Sequence, residues 1–183
     1  MSGLFTYTIA GYGPLKLRAP TWLDYERLIK RAGDSGDEDL VRNLMGGHTG
    51  PLPFNSKAWI VVRSIVRKLM EPPAGALEAA RESVERGAGS VAVTLPSGKV
   101  ARFRVPTGAE YDAAAQHATE FEALALTLAK QNLVTIGGEG PDIAWAAMDI
   151  FDGRTYLDVF LGEAVATPAD VEAALASAVY SEG

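Results

Sequence analysis

The residues whose types could support acid–base or metal chemistry are few in this sequence. Histidine occurs only at His48 and His117, and the chain has no cysteine. Two distant histidines without thiolates do not indicate a zinc site or a catalytic triad. Asp142, Asp149 and Asp152 are spaced as one stripe along a helix, which could bind a metal or transfer protons. A solvated helix face has the same pattern, and we therefore expect no catalytic residue, no metal site and no enzyme activity.

Two glycine-rich loops, at 46–51 and 137–141, raise the question of phosphate binding. Neither contains GxxxxGK(S/T) or GxGxxG, the patterns whose backbone holds phosphate groups, and no lysine follows directly. We interpret both loops as connectors between helices and expect no cofactor.

One pattern occurs twice in the chain. Residues 18–26 recur as 104–112, which is 86 positions later without a gap, and both copies read R-x-P-T-x-x-D/E-Y-D/E. The pair Ala58-Trp59 recurs as Ala144-Trp145 at the same spacing, and the two glycine-rich loops lie in the same order between these matches. We interpret the chain as a tandem duplication with one repeat unit over 1–88 and the second over 89–183. The two units could pack as one body, and such a pseudo-symmetric body favours binding over catalysis.

The repeated motif also has a local explanation as the end of a strand and the start of a helix. Proline disfavours helix in the residue before it, threonine is a good N-cap, and an acidic residue three positions later can reach back to the N–H of the cap. The residues of this helix-capping motif are Pro20, Thr21, Asp24, Pro106, Thr107 and Glu110.

Each unit should therefore open with a β-hairpin and continue with several helices. Alternating apolar residues and turn residues predict hairpins over 5–19 and 90–105. The helices expected are 22–32, 38–45, 56–70 and 75–86 in the first unit, and 108–133, 142–152, 154–161 and 168–180 in the second. The predicted fold class is α+β, helix-dominated, with the two units related by a pseudo-two-fold axis. The sequence leaves open whether the two hairpins form one sheet.

The two helices that contain the repeated Ala-Trp pair are the main candidates for protein binding. Both are apolar around most of their circumference, which is typical of central core helices, although part of that surface could form a groove for a partner helix. Trp22 lies in the first turn of a helix where the second unit has a glycine, and we expect it to be exposed. The candidate partner-binding residues are Trp22, Trp59, Val62, Val66, Trp145, Met148 and Phe151.

The charge of the chain is unevenly distributed. Residues 1–86 carry 12 Lys/Arg and 10 Asp/Glu, a balance of +2, whereas residues 87–183 carry 5 and 13, a balance of −8. The net charge of −6 argues against a nucleic-acid partner, which needs clustered cations. There is no signal-peptide pattern and no apolar stretch of the ~20 residues that cross a bilayer, so we expect a cytoplasmic protein without a membrane partner.

The hairpin followed by L/F-R-x-P-T-x-x-D/E resembles the tail assembly chaperones of tailed phages, especially the Mu-like and P2-like type. The signature is present at residues 17–24 and again at 103–110, whereas members of that family usually carry it once. The resemblance implies a non-enzymatic protein that coats the long helical tape measure protein before the tail tube polymerises and recruits tube subunits.

We therefore expect a phage tail assembly chaperone in the host cell cytoplasm that binds an apolar helical client. Two alternatives are a virion structural or adaptor protein, which would stay in the particle, and a small inhibitor or interaction module that acts on a host protein. The unpaired edges of the hairpins leave homo-oligomerisation open.

Overall fold

The structure of the chain is a computed structural model that describes residues 4–31, 34–118 and 120–164. The helix expected at 168–180 lies outside these residues. The elements are, in chain order, β1 (Leu4–Ile9), β2 (Gly13–Arg18), α1 (Trp22–Lys30), α2 (Asp34–Leu44), α3 (Ser56–Leu69), α4 (Ala76–Glu82), β3 (Glu85–Gly87), β4 (Ser90–Thr94), β5 (Val100–Phe103), α5 (Gly108–Ala115), α6 (Phe121–Asn132), β6 (Leu133–Ile136), α7 (Pro141–Ala147) and α8 (Ile150–Ala164). The helix-dominated α+β class is confirmed. Among the described residues, no helix combines the length and apolar character that crossing a bilayer requires.

The first hairpin forms a sheet of its own. Strands β1 and β2 pair antiparallel, with Phe5 opposite Leu17 and Tyr7 opposite Leu15. Because side chains alternate along a strand, these residues share one face, and Leu15 and Leu17 on it are fully buried. The other face carries Thr6, Thr8 and Lys16 and is exposed. The hairpin therefore covers the core with one side only.

The second hairpin is part of a larger sheet. Strands β4 and β5 form it as expected, but β3 pairs with the outer edge of β4 and β6 pairs with β5, giving the antiparallel order β3-β4-β5-β6. The two hairpins consequently lie in separate sheets within the described part of the chain.

Several helix boundaries differ from the sequence-based expectation. The helix expected over 38–45 begins at Asp34, and the helix expected over 75–86 ends at Glu82, where β3 follows at Glu85–Gly87. The helix expected over 108–133 is two helices, α5, which ends at Ala115, and α6, which begins at Phe121. Helix α5 buries only Ala114, whereas α6 is apolar on most sides and lies in the core. The break expected at Gly153 is instead at 148–149. There the carboxylate of Asp149 accepts the N–H of Phe151 at 2.8 Å, next to the start of α8 at Ile150.

One hydrophobic core runs through both halves of the sequence. Trp22 of α1 packs edge-on against Trp145 of α7, with ring centroids 5.2 Å apart. Tyr156 of α8 contacts the rings of Trp145, Phe103 and Phe160. The division into two repeat units and the pseudo-two-fold axis stay predictions.

Candidate protein-binding surface

The capping motif folds as expected in the first copy and also holds an ion pair whose carboxylate is buried. Thr21 and Asp24 form a reciprocal capping box at the start of α1. The guanidinium of Arg18 donates two hydrogen bonds to the Asp24 carboxylate, at 2.6 and 2.8 Å. Burial of Asp24, which is 2% exposed, would raise its pKa, but the hydrogen bonds from Arg18 and Thr21 outweigh burial and the pKa lies below its usual value.

The second copy repeats this arrangement at the surface. Thr107 and Glu110 form the same capping box at the start of α5. Arg104 lies 3.4 Å from the Glu110 carboxylate, and hydrogen bonds from Thr107 lower the pKa of Glu110. The role of the arginine was missed in the sequence, although its constant separation of six residues from the acidic residue could have revealed it. The motif therefore joins the end of a strand to the start of a helix in both copies.

Most of the candidate partner-binding residues are interior. The expectation that Trp22 is exposed is wrong, because its side chain is 0% exposed between Trp145 and α8. The buried members of the set are Trp22, Val62, Val66, Trp145 and Met148. Only Trp59 and Phe151 are half-buried and can contact a partner without rearrangement of the core.

The three aspartates do not form one stripe. Asp142 lies in α7, Asp149 precedes α8, and Asp152 is buried in α8, where it accepts the N–H of Ser97 at 2.9 Å. No group of three His, Cys, Asp or Glu side chains within the described ranges could hold a metal ion. His48 lies near the carbonyl of Pro51, and its glycine-rich loop connects α2 to α3.

A groove between α2 and α3, here called the α2–α3 groove, surrounds Trp59. Its volume is about 920 Å³, and the residues that line it are Glu38, Arg42, His48, Thr49, Gly50, Pro51, Leu52, Phe54 and Trp59. The ring of Phe54 stacks on Trp59 with centroids 6.3 Å apart, and Tyr12 packs behind Phe54 at 4.7 Å. One wall of the groove is thus aromatic and aliphatic.

The opposite wall is polar and is organised by Arg42. Its guanidinium bonds the carboxylate of Glu38 and the carbonyl of Gly50, and lies 3.5 Å from the carbonyl of His48. Gly46 and Gly47 have positive φ angles of 83° and 81°, which allow the chain to turn back over the end of α2. A groove with one apolar wall and one charged wall fits an amphipathic peptide segment.

A second polar feature holds the two halves of the chain together. The carboxylate of Glu26 in α1 accepts the indole N–H of Trp145 at 3.1 Å, pairs with Lys30 at 2.6 Å and lies 3.8 Å from Lys130 of α6. Burial would raise the pKa of Glu26, but the hydrogen bonds from Lys30 and Trp145 and the charge of both lysines lower it. Glu26 therefore links α1 to α6 and α7.

Compared with known protein families, with curated proteins and with solved structures, the chain has no significant match. The interpretation of its surface therefore depends on the residues and their geometry.

Proposed function

We propose that this chain is a non-enzymatic tail assembly chaperone of a tailed phage. It binds the long helical tape measure protein in the host cell cytoplasm, keeps this apolar client from aggregating before the tail tube polymerises, and helps to recruit tube subunits. The observation that carries the proposal is the signature R-x-P-T-x-x-D/E, which follows a β-hairpin and opens a helix in both halves of the chain.

The α2–α3 groove supports the binding of a helical client. Trp59, Phe54 and Leu52 offer an apolar surface, while Arg42 and Glu38 lie among the polar groups that line the groove. An amphipathic helix has apolar side chains on one face and polar side chains at its margins. Such a helix can place its apolar face on the aromatic wall and its margin against the charged wall.

The proposal is tested by purifying the tagged chain from cells that produce the phage. We expect mass spectrometry to find a long helical polypeptide in the purified complex and no copy of this chain in finished particles. Stoichiometric amounts of the chain within particles would contradict the proposal and favour the virion structural or adaptor protein. A host protein as the sole partner would also contradict it and favour the inhibitor or interaction module.

The client site is tested with two aromatic residues, Trp59 inside the α2–α3 groove and Phe121 outside it. Trp59→Ala is expected to reduce the recovered client about tenfold or more, because truncating a central interface tryptophan costs about 2 kcal/mol or more. Phe121→Ala changes a side chain at the start of α6 that is 54% exposed; it is the control and should retain the client. Equal recovery with both variants, at unchanged circular dichroism, would exclude the groove as the client site.

A further inference from the structure

The two helices that carry the repeated Ala-Trp pair each present an exposed face on which apolar and charged side chains lie together. The α3 face consists of Lys57, Ile60, Val61, Ser64 and Lys68, which follow one another at helical spacing and are all exposed. The α7 face consists of Asp142, Ile143, Ala146 and Ala147, which are also exposed.

These faces include two of the most exposed large apolar side chains in the described part of the chain. Ile60 is 64% exposed and Ile143 is 65% exposed, and Val61 beside Ile60 is 41% exposed. The exposed isoleucines on α3 and α7 leave apolar surface area that binding to a partner would remove from water.

The two faces occupy equivalent positions in the duplicated pattern. At the shift of 86 residues, Ile60 corresponds to Ala146 and Val61 corresponds to Ala147. The α3 face is not the wall of the α2–α3 groove, because Trp59 points to the groove from the other side of the helix. The equivalent side of the equivalent helix is thus exposed to solvent in both halves of the chain.

The charges of the two faces are opposite. The α3 face carries Lys57 and Lys68 and no acidic residue, whereas Arg63 and Arg67 of the same helix lie off this face and pair with Asp37. Lys57 makes no hydrogen bond or ion pair within the described residues, while Lys68 bonds Glu71 at 2.6 Å. Helix α7 contains Asp142 and no basic residue, and Glu139 precedes it.

We propose that the α3 face of one copy of this chain binds the α7 face of a second copy, head to tail. Both faces are exposed in the part of the chain that the structure describes, and the proposed contact joins different copies. Contact between two α3 faces or two α7 faces would bring like charges together, whereas α3 against α7 pairs a cationic face with an anionic face. This heterologous contact leaves one free face at each end, so assembly continues beyond a dimer unless a ring closes. The proposal goes beyond the proposed function and does not depend on the identity of any client.

The test uses the full chain and two variants that each block one face. Ile60→Asp places a carboxylate in the α3 face, and Ile143→Asp places one in the α7 face; both side chains are largely exposed, so the fold should tolerate the changes. By sedimentation velocity, the unchanged chain is expected to exceed the dimer mass as concentration rises, and each variant alone is expected to stay monomeric. An equimolar mixture of the variants keeps one intact α3 face and one intact α7 face, and it should form a one-to-one complex and nothing larger.

Control variants separate this contact from a general effect of added charge. Val105→Asp changes an exposed valine outside both faces and should assemble like the unchanged chain. Lys57→Glu should weaken assembly, whereas Lys16→Glu on the exposed face of the first hairpin should not.

Three results would overturn the proposal. The first is an unchanged chain that stays monomeric at every concentration; if Ile60→Asp then lost the co-purifying client, the α3 face would belong to the client. The second is a variant that assembles as well as the unchanged chain. The third is a mixture of the two variants that remains monomeric although the unchanged chain assembles.

Discussion

The contact between Trp22 and Gly153 joins the first helix of the chain to the last described one. A Cβ atom added at Gly153 would lie 2.2 Å from Cε3 of Trp22, which is far inside van der Waals contact. Gly153 therefore allows α8 to approach the indole, and the indole in turn contacts Trp145. This close approach explains why a glycine continues a helix at a position where the sequence predicts a break.

Gly153→Ala is expected to destabilise the protein by about 1–3 kcal/mol, because the methyl group overpacks a core in which the indole has no room to move. Gly162→Ala on the same helix is the matched control. A Cβ there meets no atom within 4 Å, and the change should be neutral or stabilise by about 0.4–1 kcal/mol. Urea unfolding followed by circular dichroism measures both. Equal stability of Gly153→Ala and the unchanged chain would mean that α8 does not rest on Trp22.

The two copies of the capping motif place the same hydrogen bonds in different surroundings. Asp24 is buried and receives two hydrogen bonds from Arg18, whereas Glu110 lies near the surface with Arg104 at 3.4 Å. Each of these acidic residues closes a capping box and pairs with an arginine at the end of the preceding strand. The strand-to-helix corner is thus a local unit, and its contribution to the free energy of unfolding depends on how far it is buried.

Asp24→Ala should reduce the free energy of unfolding by about 2 kcal/mol or more, because it removes a cap and leaves Arg18 without its carboxylate. Glu110→Ala removes the equivalent groups at the surface and should cost less, since solvent replaces them. Chemical unfolding of both variants under the same conditions checks this order. A larger loss for Glu110→Ala would contradict the assigned difference in burial.

Acidic groups with opposite pKa shifts make the stability of the whole molecule depend on pH. The pKa of Glu26, which links α1 to α6 and α7, lies below its usual value. A carboxyl whose pKa is lower in the folded state stabilises the fold at pH values above its ordinary pKa of about 4.3, and this contribution is lost as the pH falls through the folded-state pKa. Burial raises the pKa of Asp158 in α8, so its contribution has the opposite sign.

We expect the free energy of unfolding to fall between about pH 5 and pH 3, and to fall less steeply in Glu26→Gln, which lacks the ionised group. Asp158→Asn is the matched control and should make the fall steeper. The carboxyl of Asp158 binds a proton more readily in the folded chain than in the unfolded chain, and the variant loses this opposing contribution. Urea unfolding at several pH values, followed by tryptophan fluorescence, measures the slopes. An identical slope in Glu26→Gln and the unchanged chain would show that this carboxylate does not hold the two halves together.

The elements that were predicted correctly depend on contacts within a few residues. The prediction was correct for both capping boxes, for the hairpins β1–β2 and β4–β5, and for the start of α3 at Ser56. These features follow from turn residues, prolines and cap side chains that act on their immediate neighbours. The helix-dominated α+β class follows from the sum of these signals. Val62, Val66 and Trp145 were candidates for partner binding but lie in the core, which is the alternative that the apolar circumference of their helices also allowed.

Local signals determine where helices and strands begin, but they do not determine what packs against them. Strand β3, with the sequence Glu85-Arg86-Gly87, has no strand pattern of its own and forms at the edge of the second hairpin. Strand β6 does contain the β-branched residues Val134, Thr135 and Ile136, but the sequence analysis did not assign this segment to a strand. Trp22 was expected to be exposed, but it is buried. Trp145 and Gly153, more than 100 residues away in the chain, form the space that holds its side chain. The α2–α3 groove is lined by residues between 38 and 59, but its shape depends on how α2 packs against α3 and how Tyr12 packs on Phe54. Burial and surface shape are properties of the packed elements together, and the tertiary structure was therefore required to locate them.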